Sequence, residues 1–242
     1  MTSAVAAVTV DLDDTLYPQQ AWLAGAWDAV ARRGAQLGLD RTALHEALVK
    51  TCAEGSDRGR IIDRALESLG AAPTDHLPDL IATFAAHSPR RLVPYPGVVA
   101  ALRALADAMP VVCVTDGMPD VQRAKVAALG LGHLLTGVVV SDELGGRAVR
   151  KPHPAAFLHA LELLGGEPAR TVHIGDRPDK DVAGAVAAGM RCIRVLTGEY
   201  AGAVDRHPPW RTVPSFAAAA AACLGDAMEL PFREQADPLT RL

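Results

Sequence analysis

Five short apolar runs rich in valine punctuate the chain: Ala4–Val10, Val111–Thr115, Val138–Val140, Thr171–Gly175 and Cys192–Leu196. Several are nearly continuous rather than alternating, as expected of strands buried on both faces. Between them apolar residues recur at helical spacing: Val98, Leu102 and Leu105; Val121, Ala124, Ala128 and Leu129; Ala156, Phe157, Ala160, Leu161 and Leu164; Val182, Ala185 and Val186. Strand alternating with helix predicts an α/β fold on a doubly wound parallel sheet. Glycines at 130 and 132, 145–146, 165–166 and 189 supply the turns.

One stretch breaks the rhythm. From about Gln19 to Ser88 no strand-like run occurs, while apolar residues recur at helical spacing in four groups. These are Trp22, Ala26, Ala29 and Val30; Leu44, Ala47 and Leu48; Ile62, Ala65, Leu66 and Leu69; and Leu80, Ile81 and Phe84. An all-helical insert follows from this, bounded by prolines in Leu16–Tyr17–Pro18 and in Leu92–Val93–Pro94–Tyr95–Pro96–Gly97. The expected organisation is a core of residues 1–16 and 95–225, an insert of 17–94, and a tail of 226–242 that carries no readable chemistry. The insert starts beside the carboxyl end of the first strand, where ligands bind in open α/β sheets, so it reads as a lid or as an extra bundle packed for stability.

Composition narrows the partners. With 242 residues, 50% hydrophobic and 21% charged, the chain can bury a sizeable core. A net charge of −4 gives no broad basic surface, so nucleic acid is not expected as the principal partner. Ala4–Val10 is too short to span a bilayer and Asp11 ends it, which points to a cytoplasmic protein without a membrane partner. Cys52, Cys113, Cys192 and Cys223 form no metal or redox spacing and read as buried thiols. No pattern speaks to oligomeric state.

The chemistry begins at Val8–Thr9–Val10–Asp11–Leu12–Asp13–Asp14–Thr15. If strand geometry persists, Asp11 and Asp13 share a face about 7 Å apart while Leu12 points away. Asp176 and Asp181 follow another expected strand, and parallel strands bring their carboxyl ends to one edge. Like charges so gathered cost on the order of 4 kcal/mol per close pair at an effective dielectric of 20. A cation or bound protons must offset that. Hard oxygen donors suit Mg²⁺, which leaves room for a substrate phosphate, and Lys151 offers a second positive charge.

The order D-L-D-D-T (11–15), V-T-D-G (114–117), K-P-H-P (151–154) and G-D-R-P-D-K-D (175–181) resembles the haloacid dehalogenase (HAD) superfamily of phosphotransferases, from Val5 to about Leu196. The helical insert matches that family's small helical cap on a Rossmann-like core. The resemblance implies a phosphatase that uses Mg²⁺ and an aspartyl-phosphate to hydrolyse a small-molecule phosphate ester, with a nucleoside monophosphate, a sugar phosphate, phosphoglycolate or a biosynthetic intermediate all open. It implies Asp11 as nucleophile and Asp13 as general acid and base. It implies metal ligation by Asp11, Asp176 and the backbone carbonyl of Asp13, with Asp181 orienting metal waters. Thr115 and Lys151 would grip the phosphoryl oxygens with backbone N–H groups near Leu12 and Gly117, and Thr15 would support the loop around Asp13.

Other readings stay open. The acids could be solvated strand ends, Thr115 a turn residue, and Lys151 an exposed lysine beside proline. Asp179 reads as a helix-start or solvated group, Asp14 as a hinge contact, and His153 and His173 as loop or core residues. Asp116 stands where the family usually has asparagine, and a carboxylate there would repel phosphate unless turned away. Asp13 disfavours carbon–halogen chemistry, since halide needs no proton. Asp14 and Thr15 put a phosphatase ahead of a phosphomutase, which usually has glycine and valine there. A signalling receiver would carry its acids in another order, and a silent metabolite binder would not need Asp13. Substrate nature is expected from the insert, with Arg58, Arg60, Arg64, Tyr17 and Trp22 as candidate contacts, the arginines equally readable as a solvated face.

Overall fold

The computed structural model describes residues 4–56, 58–71 and 73–228. Among the described residues six parallel strands form one sheet: β1 (Ala7–Val10), β2 (Val111–Thr115), β3 (Gly137–Val140), β4 (Thr171–Gly175), β5 (Arg191–Val195) and β6 (Arg211–Val213). Their order is β3-β2-β1-β4-β5-β6, the expected doubly wound arrangement. The strand β6 was not expected: three residues long at the sheet edge and mostly exposed, Arg-Thr-Val has no apolar run to betray it.

Four helices follow β1: α1 (Gln19–Gln36), α2 (Arg41–Ala53), α3 (Ile61–Ser68) and α4 (Pro73–Ala85). The remaining helices are α5 (Val98–Ala108), α6 (Pro119–Leu129), α7 (Asp142–Gly145), α8 (Ala155–Leu164), α9 (Ala183–Ala187) and α10 (Phe216–Met228). Alternate strand residues serve different faces. Val8, Val10, Val111, Cys113, Val172 and Ile174 join one apolar cluster with Leu102 and Leu105 of α5 and Phe216 of α10. Val112, Val114, Val139 and Cys192 join a second with Phe157 and Leu161 of α8 and Ala185 of α9. Burial on both faces is why the strands read as unbroken apolar runs.

The insertion is helical throughout. Trp22, Leu23, Ala26, Trp27 and Val30 of α1 pack with Leu44 and Leu48 of α2, Leu66 of α3 and Leu80 of α4. Asp40 caps α2 by accepting from Ala43 N at 2.8 Å. Gly34 permits the close crossing of α1 and α2, since a Cβ there would run into Leu44. Leu69 and Ile81, grouped with the apolar faces by spacing, are exposed. The insertion is not a detached body: Leu12, Leu16 and Tyr17 carry its apolar cluster into that of the sheet. Its two ends also meet, Tyr95 N donating to Leu16 O at 3.0 Å.

Helix α10 runs across the expected tail boundary to Met228, and residues 229–242 lie outside the described residues. All four cysteines are buried. Among the described residues no helix is long and apolar enough to cross a membrane.

Candidate active site

The sheet register gathers the acids. Val10 lies beside Cys113 and Ile174, and Asp11 N donates to Ile174 O at 2.9 Å, so Asp11, Thr115 and Asp176 emerge together from β1, β2 and β4. Asp181 arrives by a different route. After β4 the chain makes one wide helical turn, Pro178–Val182, which brings the Asp181 side chain back under the strand end, where it accepts from Arg177 N at 2.9 Å. Gly175 is required there, because a Cβ would run into the Asp181 carboxylate.

One oxygen from each of Asp11, Asp176 and Asp181 lies within 4.8 Å of the others, and all three residues are buried. Lys151, 5% exposed, bonds to Asp11 Oδ1, to Asp181 Oδ1 at 2.7 Å and to Val114 O at 3.3 Å. Burial raises the Asp11 pKa to about 7 against the pull of Lys151. Burial and the charges of Asp181 and Asp11 push Asp176 well above the usual carboxylate range. Asp181 goes the other way: burial opposes ionisation, but Lys151 and His173 together hold it low. His173 is a buried core residue, as the sequence suggested; it joins Asp181 Oδ1 (3.1 Å) to Thr9 Oγ1 (2.9 Å). Three close hard oxygens with one ammonium between them are short of positive charge, and the donor set fits a divalent cation such as Mg²⁺.

Asp13 is held apart from this cluster. Its carboxylate accepts from Tyr17 Oη (2.5 Å), Gln122 Nε2 (3.1 Å) and Lys125 Nζ (2.9 and 2.8 Å). Burial would raise its pKa, but the Lys125 charge and these hydrogen bonds bring it below the usual range. Gln122 also donates to Thr115 Oγ1 at 2.5 Å. The Thr15 hydroxyl reaches Asp11 Oδ2 at 3.4 Å rather than Asp13. Asp14, with φ of 55°, sits at the neck of the insertion and accepts from Gln19 N, Glu199 N and Tyr95 Oη, a hinge contact as expected. Leu12 buries its side chain in the core, and Gly117 adopts φ of 132° at the end of the β2 loop. Asp116 is turned into the loops: Oδ1 accepts from Ser141 Oγ (2.8 Å) and Lys151 N (3.0 Å), and Lys180 Nζ stands 3.5 Å from Oδ2. The extra carboxylate thus fastens the Lys151 loop.

A cleft of about 180 Å³ opens over these groups. Asp11, Asp13, Thr115, Asp116, Lys151 and Asp176 line its floor. Ser56 and Gly59 of the α2–α3 loop overhang it, Ser56 N donating to Glu199 Oε1 at 3.2 Å across the mouth. The remaining cations of the wall are Arg147, Arg150, Arg177 and Lys180. Arg150 is committed to Asp142 through two 2.6 Å bonds, whereas Arg147 is exposed and has no ion-pair partner among the described residues.

The expected substrate contacts of the insertion need correction. Arg58 is exposed and does not line the cleft; Arg60 pairs with Asp63 and Glu67, and Arg64 with Glu54. Trp22 is buried against Phe84, and Tyr17 spends its hydroxyl on Asp13. Arginine-rich spacing could not tell a solvated loop from a lining one. Gln122 and Lys125, buried one turn apart on α6, are site residues that no local sequence pattern marks. Asp179 pairs with Arg177, and His153 accepts from Ala155 N.

Residues 5–189 match the haloacid dehalogenase-like hydrolases. The chain is 35% identical over 222 residues to glyceraldehyde 3-phosphate phosphatase of Methanopyrus kandleri, covering 88% of this chain and 92% of that one. It is 35% identical over 202 residues to phosphoglycolate phosphatase of Rhodospirillum rubrum, covering 79% and 80%. Among solved structures it superposes on a 2-haloacid dehalogenase from Pseudomonas syringae pv. Tomato with a TM-score of 0.63 and 27% identity, over 91% of this chain and 98% of that one. A HAD phosphatase from Thermococcus onnurineus shares the fold, with a TM-score of 0.61 and 21% identity over 92% and 99%.

Proposed function

Since the chain belongs to the haloacid dehalogenase-like hydrolases and is a phosphatase of small phosphate esters, we propose that it transfers the phosphoryl group first to Asp11 and then to water, with Mg²⁺ as cofactor and the helical insertion as cap. The observation that carries this is the convergence of Asp11, Asp176 and Asp181 around Lys151, with Asp11, Asp176 and Lys151 lining a cleft that Asp13 also lines and Asp181 buried behind them.

Asp11, Asp176 and the backbone carbonyl of Asp13 would hold the ion, with Asp181, whose oxygens already serve Lys151, His173 and Arg177 N, orienting its surroundings; when bound the ion supplies positive charge for the phosphoryl oxygens and the acidic floor. The chain's own residues do the rest. A carboxylate oxygen of Asp11 forms the new bond to phosphorus as the bond to the leaving alcohol oxygen breaks. Asp13, ionised while Lys125 holds it, first takes a proton from solvent or from the substrate monoanion, gives it to that departing oxygen, then takes one from the water whose oxygen attacks phosphorus and frees Asp11. Lys151 and Thr115 hold the phosphoryl oxygens as charge shifts between them. The overhang of Ser56 and Gly59 limits water at the reacting centre.

The small cleft favours a compact leaving group, and the exposed guanidinium of Arg147 favours one that carries an acidic group of its own. The test is phosphate release by purified protein with Mg²⁺ from a panel including glyceraldehyde 3-phosphate, phosphoglycolate and phosphoserine. Wild type should release phosphate from at least one ester and Asp11→Asn from none. Release that persists in Asp11→Asn, or that ignores chelation of the metal, would remove the reading.

A further inference from the structure

Two lysines divide the acids of this cleft. Lys151 bonds to Asp11 and Asp181, and Lys125 bonds to both oxygens of Asp13. Lys125 is 3% exposed and projects from α6, a helix of the core. Its Nζ also faces the ring of Trp22 at 4.5 Å, and Trp22 belongs to α1 of the insertion. That ring is wedged edge-on against Phe84 (5.0 Å) and His87 (5.5 Å), near the other end of the insertion. Gln122, one turn before Lys125, joins Asp13 to Thr115 through a single amide nitrogen. Tyr17, at the neck, completes the cage.

We infer that Lys125, assisted by Gln122 and braced by Trp22, is the positioning residue that fixes the Asp13 carboxylate on the leaving-group side of the cleft and couples it to the seating of the insertion. The inference rests on the proposed acid and base role of Asp13. A carboxyl group that must deliver a proton in line with a breaking bond tolerates little misplacement; an error near 1 Å can cost about 10²-fold. Left with Tyr17 and Gln122 alone, Asp13 would keep a proton more readily but would lose the ammonium that holds both of its oxygens, so that what the reaction then lacks is aim and not proton supply. The simpler alternative is that Lys125 only neutralises a buried charge, in which case its loss would weaken the fold without regard to substrate.

The two roles differ in their dependence on the leaving group. A phenolate that is already a good leaving group needs little proton donation; a more basic one needs much. Aryl phosphates from p-nitrophenyl to unsubstituted phenyl vary that need with small change of shape. With Mg²⁺ present, kcat/KM reports the first transfer alone. Lys125→Met should lower it about 10²-fold for phenyl phosphate and less than about 5-fold for p-nitrophenyl phosphate, the difference being the share of general acid catalysis. Trp22→Phe, which keeps an aromatic ring in the wedge, should show a smaller loss with the same bias, and it decides the matter if Lys125→Met does not fold. Equal losses on both esters, or none, would overturn the positioning role while leaving the phosphatase intact. A wild type that releases phosphate from neither ester, nor from any of the panel above, would overturn the phosphatase reading and this inference with it.

Discussion

Lys151→Met should destabilise the metal-free protein, and by more at pH 8 than at pH 5. At 2.7 Å from Asp181 Oδ1, the ammonium gains a gross ~6 kcal/mol from that carboxylate at an effective dielectric of about 20. Dehydration of the buried ions offsets much of this, and removing one partner of such a pair typically costs about 3–5 kcal/mol. In a chain of 242 residues that is a fall in Tm of roughly 6–20 °C. The pH dependence comes from the acids. Lys151 has its pKa raised, so it is charged folded and unfolded across this range and its own contribution is complete there. An acid whose folded pKa stands above its unfolded one loses stability as pH climbs between the two; for Asp11 that window runs from about 4 to about 7. Without Lys151 the window extends upward, so the deficit at pH 8 must exceed that at pH 5, where Asp11 and Asp176 can take up protons. Thermal denaturation of both proteins in chelator at the two pH values measures it. An equal deficit, or a larger one at pH 5, would refute the electrostatic account of the cluster.

Three further outcomes follow from the same geometry. Mg²⁺ at about 100 times its Kd should stabilise wild type by about 2.7 kcal/mol, raising Tm by roughly 5–10 °C, and calorimetric titration should give tighter binding at pH 8 than at pH 5 because protons no longer compete for Asp11 and Asp176. Gly175→Ala pushes a methyl group into Asp181 and should weaken Mg²⁺ binding about 10–100-fold by the same titration. Arg147→Ala should raise KM about 10-fold or more for esters whose alcohol bears a carboxylate, with kcat little changed and p-nitrophenyl phosphate unaffected, as steady-state kinetics will show.

The sheet was legible because both of its faces are buried: Val111–Thr115 and Thr171–Gly175 are buried at every position and mostly apolar, and they frame the acids that follow them. The insertion was legible because helical spacing persisted with no strand to interrupt it. The acidic floor needed only the rule that parallel strands end together. What escaped reading depends on contacts between distant segments. Nothing local marks Lys125 as the partner of Asp13, 112 positions away, or Arg147 as neighbour to Gly59. Arg58 and Trp22 misled for a related reason. Their residue types suit substrate contact, but whether a side chain faces a cleft, a helix or solvent is decided by how α1 to α4 pack, and spacing alone does not carry that. Asp116 likewise looked hostile to phosphate until Ser141 and the Lys151 amide were found to hold it.

Covalent capture tests the central claim most directly. Wild-type protein and Asp13→Asn, mixed with Mg²⁺ and p-nitrophenyl phosphate, whose leaving group needs little proton donation in the first transfer, are quenched in acid within one turnover and mapped by peptide mass spectrometry. The account requires one phosphoryl group on the peptide containing Asp11, more abundant in Asp13→Asn because its second step is slowed, and absent when the metal is chelated or Asp11 is replaced by Asn. Phosphate release at full rate with Asp11 never modified, or the label on another residue, would contradict it.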